Sequence, residues 1–201
     1  MIKNISNLGD AALYCDFGTE VNKEVNNKVI RYFKSIQKEN IDGINNLTPS
    51  YNKLIVSFEP SVTNYEKLKN KIIDLKLHNK ENQNSKLIKI PICIDEEFSL
   101  DIKRLTKELK MKYDQIYNSF FDKEYYCYMT GFIAGMPFLG DTRENIRLNR
   151  LETPRVKVPK GSIGITEQFC NIYTYESPGG WNIIGNTPVK ILTNLIKKIQ
   201  H

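Results

Sequence analysis

Val21, Val25, Val29, Tyr32, Phe33 and Ile36 recur at the spacing of one helix face, which predicts an amphipathic helix over about 21–38. Shorter apolar runs flank it. Ile2 to Phe17 reads as a strand or a pair of short strands centred on Ala12, Leu13 and Tyr14. A strand with Ile44 and Leu47 follows, then a Pro49-Ser50 turn, then Leu54 to Phe58, ended by Pro60. Thr63 or Asn64 is placed to cap a second helix bearing Tyr65, Leu68, Ile72 and Leu75 on one face. The order strand, helix, two strands, helix predicts a small α+β sandwich of ferredoxin-like type over residues 1–80.

Asn79 to Ser85 contains no apolar residue and reads as a linker. Beyond it, Leu87 to Ile94 predicts a strand, Ser99 caps a helix with Ile102, Leu105 and Leu109, and Asp114 caps a shorter helix through Phe121. The pattern then changes. Eight of the 11 glycines and five of the eight prolines lie after residue 130, dividing short β-like segments from one another. These are Tyr125–Thr130, Val156–Val158, Ile163–Thr166, Asn171–Tyr175, Trp181–Ile184 and Val189–Leu192. Short strands between Gly/Pro turns predict a β-barrel or sandwich over 86–201. At 201 residues the chain has room for two small domains, each with its own core.

The formal charge of +6 comes from scattered lysines such as Lys67, Lys69, Lys71, Lys103, Lys107 and Lys110, the pattern of solvated helix faces. No aromatic or arginine stripe interleaves them, which argues against a nucleic-acid groove; the charge is compatible with a small anionic substrate or an acidic partner. Cys15, Cys93, Cys127 and Cys170 are far apart and form no CxxC pair, so they read as buried apolar thiols, with neither zinc nor a disulfide framework expected. No secretory signal opens the chain and no apolar run approaches the roughly 20 residues of a membrane helix. A cytoplasmic location is expected.

A histidine-based triad, dyad or metal site would have to use His78, at a predicted helix end, or the terminal His201, the only two histidines. GxSxG and Walker A patterns are absent, so neither an α/β-hydrolase nor a stand-alone P-loop ATPase is supported. The candidate chemistry lies in the Gly/Pro-rich half. Arg143, Arg147, Arg150 and Arg155 fall within 13 residues, and a guanidinium fork suits carboxylate or phosphate, although such a cluster also serves as a solvated loop. Arg155 can also be read as a structural residue, paired with a carboxylate such as Glu152 or Glu176 to hold the loops together. Glu176 and Ser177 precede Pro178-Gly179-Gly180-Trp181, where a carboxylate can act as a general base or simply order its own loop. The two glycines permit positive φ or close backbone approach, for a ligand, a partner or only a tight turn. Tyr173 and Trp181 can wall a pocket or plug the core.

Three blocks carry a resemblance: Gly131 to Gly140 with Gly135 inside it, Thr153 to Ile165, and Ile172 to Pro188. In order and without a gap they resemble the GFxPGFPYLGG, TPRxxVPAGSVGI and IYPxESPGGWxxIGxTP motifs of one family. That family is carboxyltransferase subdomain C/D-like and holds the B subunit of the prokaryotic 5-oxoprolinase complex, a sporulation-kinase inhibitor of bacilli, and proteins called allophanate hydrolase subunit 1. Leu8 to Leu13 leading to Asp16-Phe17-Gly18 is similar to its opening GDxALLVEFG, so the likeness runs nearly full length.

The resemblance implies a cyclophilin-like β-barrel as the second domain. It implies one subunit of an ATP-dependent 5-oxoprolinase that turns 5-oxoproline into glutamate, inactive alone. The partners implied are a homologue of the complex's C subunit, which is allophanate hydrolase subunit 2-like and completes a composite site, and a homologue of its A subunit; ATP is used by the complex. It favours Arg155 and Arg150, the arginines of the family's paired TPR motifs; with the carboxylate chemistry of Glu176, the expected catalytic residues are Arg155 and Glu176, with Arg150, Ser177, Gly179, Gly180, Trp181 and Gly135 around the substrate and no metal. A kinase-inhibiting binding module and a carboxyl-transfer component of a urea-degrading system stand as alternatives. The chain departs from the pattern at several positions. Asn118 stands where a histidine is common, Phe169 where a glutamine is, Ala134 and Met136 replace Pro and Phe, and Leu148-Asn149-Arg150 replaces a first TPR.

Overall fold

In the computed structural model, which describes residues 1–77 and 86–191, the N-terminal unit (Met1–Lys86) contains six elements. They are β1 (Asn4–Asn7), β2 (Ala12–Asp16), α1 (Lys23–Glu39), β3 (Ile44–Pro49), β4 (Lys53–Phe58) and α2 (Tyr65–Ile73). The strands form one antiparallel sheet in the order β1-β2-β4-β3. Leu13 and Cys15 pair with Val56 and Leu54, so the alternation of each strand puts all four side chains on one buried face. Val29, Tyr32 and Ile36 of α1 and Leu68 and Ile72 of α2 join the same core. Both helices are capped by asparagine: Asn22 accepts the Val25 N–H at 2.9 Å and Asn64 the Lys67 N–H at 3.0 Å. The left-handed Asn40 ends α1. Asn26, fully buried on α1, donates to Ser50 O and Tyr51 O and so fixes the helix to the β3–β4 turn.

The C-terminal unit (Leu87–His201) begins with α3 (Ile102–Glu108) and α4 (Tyr113–Phe121). Seven strands follow: β5 (Tyr126–Thr130), β6 (Pro137–Gly140), β7 (Arg155–Val158), β8 (Ser162–Thr166), β9 (Phe169–Ile172), β10 (Ser177–Gly179) and β11 (Asn182–Asn186). Five form an antiparallel sheet in the order β11-β8-β9-β6-β5, and β7 pairs with β10 as a separate ribbon. Every residue of β8 is buried. Ile163, Ile165, Cys170, Ile172 and Ile184 pack with Ile102, Leu105, Ile116, Tyr117 and Phe120 of the helices, while Met136, Val158, Tyr173 and Ile183 form a second cluster.

Several expectations are corrected here. No pairing among the described residues closes the five strands into a barrel. Pro178 interrupts β10, where the register shifts between Ser177 and Gly179, and a proline cannot donate to a ladder. Of Leu87–Ile94 only Cys93 is paired, with Asn186, because Pro91 breaks the run. Ser99 does not cap α3; its hydroxyl lies within reach of the carbonyls of Ile94 and Ile184 and of the Tyr117 hydroxyl. The cap position of α4 is Lys112, whose N–H donates to the Gln115 side chain, and Asp114 sits in the first turn. Strand β9 stops at Ile172, short of Tyr175, and no strand covers Val189 to Ile191. Cys127 is exposed and Cys93 partly so; Cys15 and Cys170 are buried, and burial pushes the Cys15 thiol up to about 12. The expected linker Asn79–Ser85, His78 and His201 lie outside the described residues. No helix among the described residues is long and apolar enough to cross a membrane.

Asp16, at the end of β2, accepts from Lys53 Nζ at 2.5 Å and from the Gly18 N–H at 2.6 Å, and these contacts hold its carboxyl below the usual carboxylate range. A lowered folded-state pKa contributes stability that is present above the unfolded value and fades as pH falls through the folded one. Asp16→Asn is expected to lower the thermal midpoint by about 1–4 °C at neutral pH and to converge on the parent once pH falls below the lowered folded-state pKa, which calorimetry across pH will check.

Candidate functional site

Strand β7 opens with Arg155 directly opposite Gly179 of β10. This pairing brings two of the motif-bearing segments together over Tyr173, which is 2% exposed just beyond the end of β9. Gly179 is fixed by its neighbour, since a Cβ there would lie 2.2 Å from the Tyr173 Oη. Gly180 is packed by Arg150, since a Cβ would meet its Nε and Nη2 at a tight 3.2 Å. Neither glycine has positive φ, so it is close approach, not turn geometry, that both positions require. The Leu151 N–H donates to Gly180 O at 2.6 Å and ties the Arg150 segment to the turn.

Trp181 follows, with its ring edge-to-face on Phe138 at 5.6 Å between centroids. Gly135 lies in the β5–β6 loop with φ of 69°, and this loop is anchored beside Tyr173 by the Thr174 hydroxyl donating to Ala134 O at 2.9 Å. Burial raises the Tyr173 phenol pKa, and the nearby Asn171 amide, the Trp181 backbone and the charges of Arg150 and Arg155 pull against that rise. Arg150, Arg155, Tyr173, Gly179, Gly180 and Trp181 therefore form one cluster. Ser177 is buried on β10, and its Oγ has no hydrogen-bond partner among the described residues. Glu176 is set apart from them: its exposed carboxylate pairs with Lys157 Nζ at 3.2 Å on the ribbon surface.

Neither Glu152 nor Glu176 is the structural partner of Arg155. Arg155 Nη2 donates to Asp101 Oδ1 at 2.6 Å, and Asp101 is only 4% exposed. The other Asp101 oxygen accepts the Ile183 N–H at 2.6 Å. Arg104, one turn along α3, lies 3.7 Å from Asp101 and also donates to Asn182 Oδ1. Asn182 in turn donates to Asn149 O and Ile165 O, which holds the segment carrying Arg150. Asp101 and Arg104 lie outside the three motif blocks; Asp101 and Arg155 are 54 positions apart, beyond the reach of any periodicity. Asn171 and Asn182 carry no motif letter of their own. Arg143 and Arg147 of the arginine cluster lie elsewhere, Arg143 on Asp122 and Arg147 on Thr142 O.

Nη1 of Arg155 and both amide atoms of Asn171 also lack hydrogen-bond partners among the described residues. The cluster can thus offer two guanidinium groups, an amide and a hydroxyl to a small anionic ligand. A separate open depression of about 580 Å³ is lined by Asn118, Ser119, Phe121, Asp122 and Arg143.

The chain is similar to known proteins over most of its length. The family described as carboxyltransferase domain, subdomain C and D, matches residues 3–197. The 5-oxoprolinase B subunit of Bacillus subtilis (strain 168) is 29% identical over 199 residues, covering 93% of this chain and 83% of that protein. That of Haemophilus influenzae is 31% identical over 189 residues, covering 92% and 85%. Among solved structures, the K. lactis urea amidolyase has a TM-score of 0.76 at 17% identity over 91% of this chain and 13% of that one, a likeness of fold alone.

Removing Arg155 strips the buried Asp101 of its nearest cation. Arg155→Ala is expected to cost about 3 kcal/mol of stability. Adding Asp101→Asn to it should cost less than the sum of the two single changes, a coupling of about 1–3 kcal/mol in a denaturant double-mutant cycle.

Proposed function

This chain belongs to the family of carboxyltransferase domains, subdomain C and D, and we propose that it serves as the B-type subunit of an ATP-dependent 5-oxoprolinase. The reaction opens the lactam of 5-oxoproline with water and ATP to give glutamate, ADP and phosphate. A lactam is an amide stabilised by resonance, so hydrolysis at useful rate calls for activation of its carbonyl as well as positioning. What supports a role for this chain is the convergence of Arg150 and Arg155 beside Tyr173 and the Gly179-Gly180 backbone. Arg155, fastened to Asp101 through Nη2, keeps Nη1 for the substrate carboxylate, and Arg150 reinforces it from the exposed side. Ser177 and Trp181 shape the seat, with Gly135 in the loop beside it. Glu176, on the exposed edge of the ribbon, acts where a partner completes the site.

The composite site needs a homologue of the C subunit, with a homologue of the A subunit supplying further parts, and ATP is consumed by the assembly in the cytoplasm. On this reading residues 1–80 form a ferredoxin-like domain and 86–201 a cyclophilin-like one. The description of the matching family as a carboxyltransferase domain supports a second reading, carboxyl transfer in urea breakdown.

Co-expression with candidate C and A subunits should yield a stable complex that releases glutamate from 5-oxoproline only with ATP, while the purified chain alone shows no turnover. Turnover by the isolated chain, or a complex that uses urea and bicarbonate but not 5-oxoproline, would reject this assignment.

A further inference from the structure

A buried polar atom without a partner forgoes the hydrogen bonds it had in water and gains none in return, so such atoms are rare in folded proteins. Asn171 on β9 is 1% exposed, and both Oδ1 and Nδ2 of its amide lack a partner among the described residues. The Tyr173 phenol is close enough for its titration to feel this amide, but the two do not meet in hydrogen-bond geometry. The surroundings are crowded. A Cβ on Gly164 would fall 2.6 Å from Asn171 Oδ1, 3.0 Å from Trp181 Cβ and 3.3 Å from Tyr173 Cε2. The two further orphans of the ribbon, Ser177 Oγ and Arg155 Nη1, lie on the strands that pair over the same tyrosine.

A carboxamide presents one acceptor and one donor side by side. Its complement is an amide whose C=O and N–H lie on the same edge, the cis arrangement that a small ring enforces and that an open-chain trans amide lacks. We infer that Asn171 reads the cis-amide edge of a lactam, with Nδ2 donating to the ring carbonyl and Oδ1 accepting from the ring N–H. Arg155 Nη1 and Ser177 Oγ remain for the carboxylate of the same molecule. The inference rests on the 5-oxoprolinase reading and deepens it by naming the residue that recognises the ring. Once the ring opens, the two groups that Asn171 holds no longer share an edge, and the product loses this pair of hydrogen bonds.

The reconstituted complex with 5-oxoproline and ATP provides the test, using Asn171→Leu, which keeps the approximate volume without polar atoms, and Asn171→Asp, which keeps the shape without the donor. Both variants are expected to raise KM for 5-oxoproline by at least about tenfold, with a smaller change in kcat. The thermal midpoint of Asn171→Leu should be unchanged or higher, because orphaned polar atoms are removed. An unchanged KM in both variants overturns the role of Asn171 while leaving the 5-oxoprolinase reading standing. So does a raised KM that in both variants comes with a lowered thermal midpoint, since that marks a structural residue. A parental complex that neither turns over 5-oxoproline nor is thermally stabilised by it overturns the function and this inference together.

Discussion

Asp101 accepts the Ile183 N–H on one carboxylate oxygen and the Arg155 guanidinium on the other, and its own N–H donates to Ile183 O at 3.0 Å. One side chain at the start of α3 therefore joins a helix, an edge strand of the sheet and the first residue of the ribbon. An ionised group at this depth is tolerable only when its lone pairs are used, because the desolvation it suffers is recovered by charge-assisted hydrogen bonds or not at all. Arg104 and Asn182 extend the arrangement to Asn149 O. The segment that carries Arg150 is thus tied to the Asp101 carboxylate through two intervening side chains, Arg104 and Asn182.

The second constraint is the absence of side chains. Pro178 ends the regular pairing of β10; Gly179 then gives its backbone to a phenol too close for any Cβ, and Gly180 lies beside a guanidinium that a Cβ would crowd. Trp181 then rests on Phe138. Proline, glycine, glycine and tryptophan each meet a different structural demand in turn, and the cations of the cluster are held over bare backbone as a result. Their charge pulls against the rise that burial imposes on the Tyr173 phenol, and burial prevails.

The departures from the family pattern divide into two kinds. Met136 is buried with Val158, Tyr173 and Ile183, and the Ala134 carbonyl receives the Thr174 hydroxyl, so these replacements are absorbed by packing and by the main chain. Phe169 sits edge-to-face with Tyr128 at 6.3 Å, an aromatic contact where a glutamine is usual. Asn118 is exposed and faces the depression that includes Arg143 and Asp122. Among the described residues, Asn171, Ser177 Oγ and Arg155 Nη1 are left unpartnered on β9 and on the β7–β10 ribbon.

Local order was legible in the chain itself. The helix over residues 23–39, its asparagine-capped successor and strands β2, β4, β5, β8 and β11 follow from spacing and punctuation, since each element is decided by residues a few positions apart. The three Gly/Pro blocks, read in order, likewise carried the family. Strands β6 and β10 were hidden because both contain a proline, which cannot donate to a ladder. The pairing of Arg155 with Asp101, the removal of Glu176 to the surface and the unpartnered amide of Asn171 were decided by tertiary structure alone. Burial and partner choice depend on which strands lie against which, and that is fixed by contacts between segments tens of residues apart that no local pattern encodes.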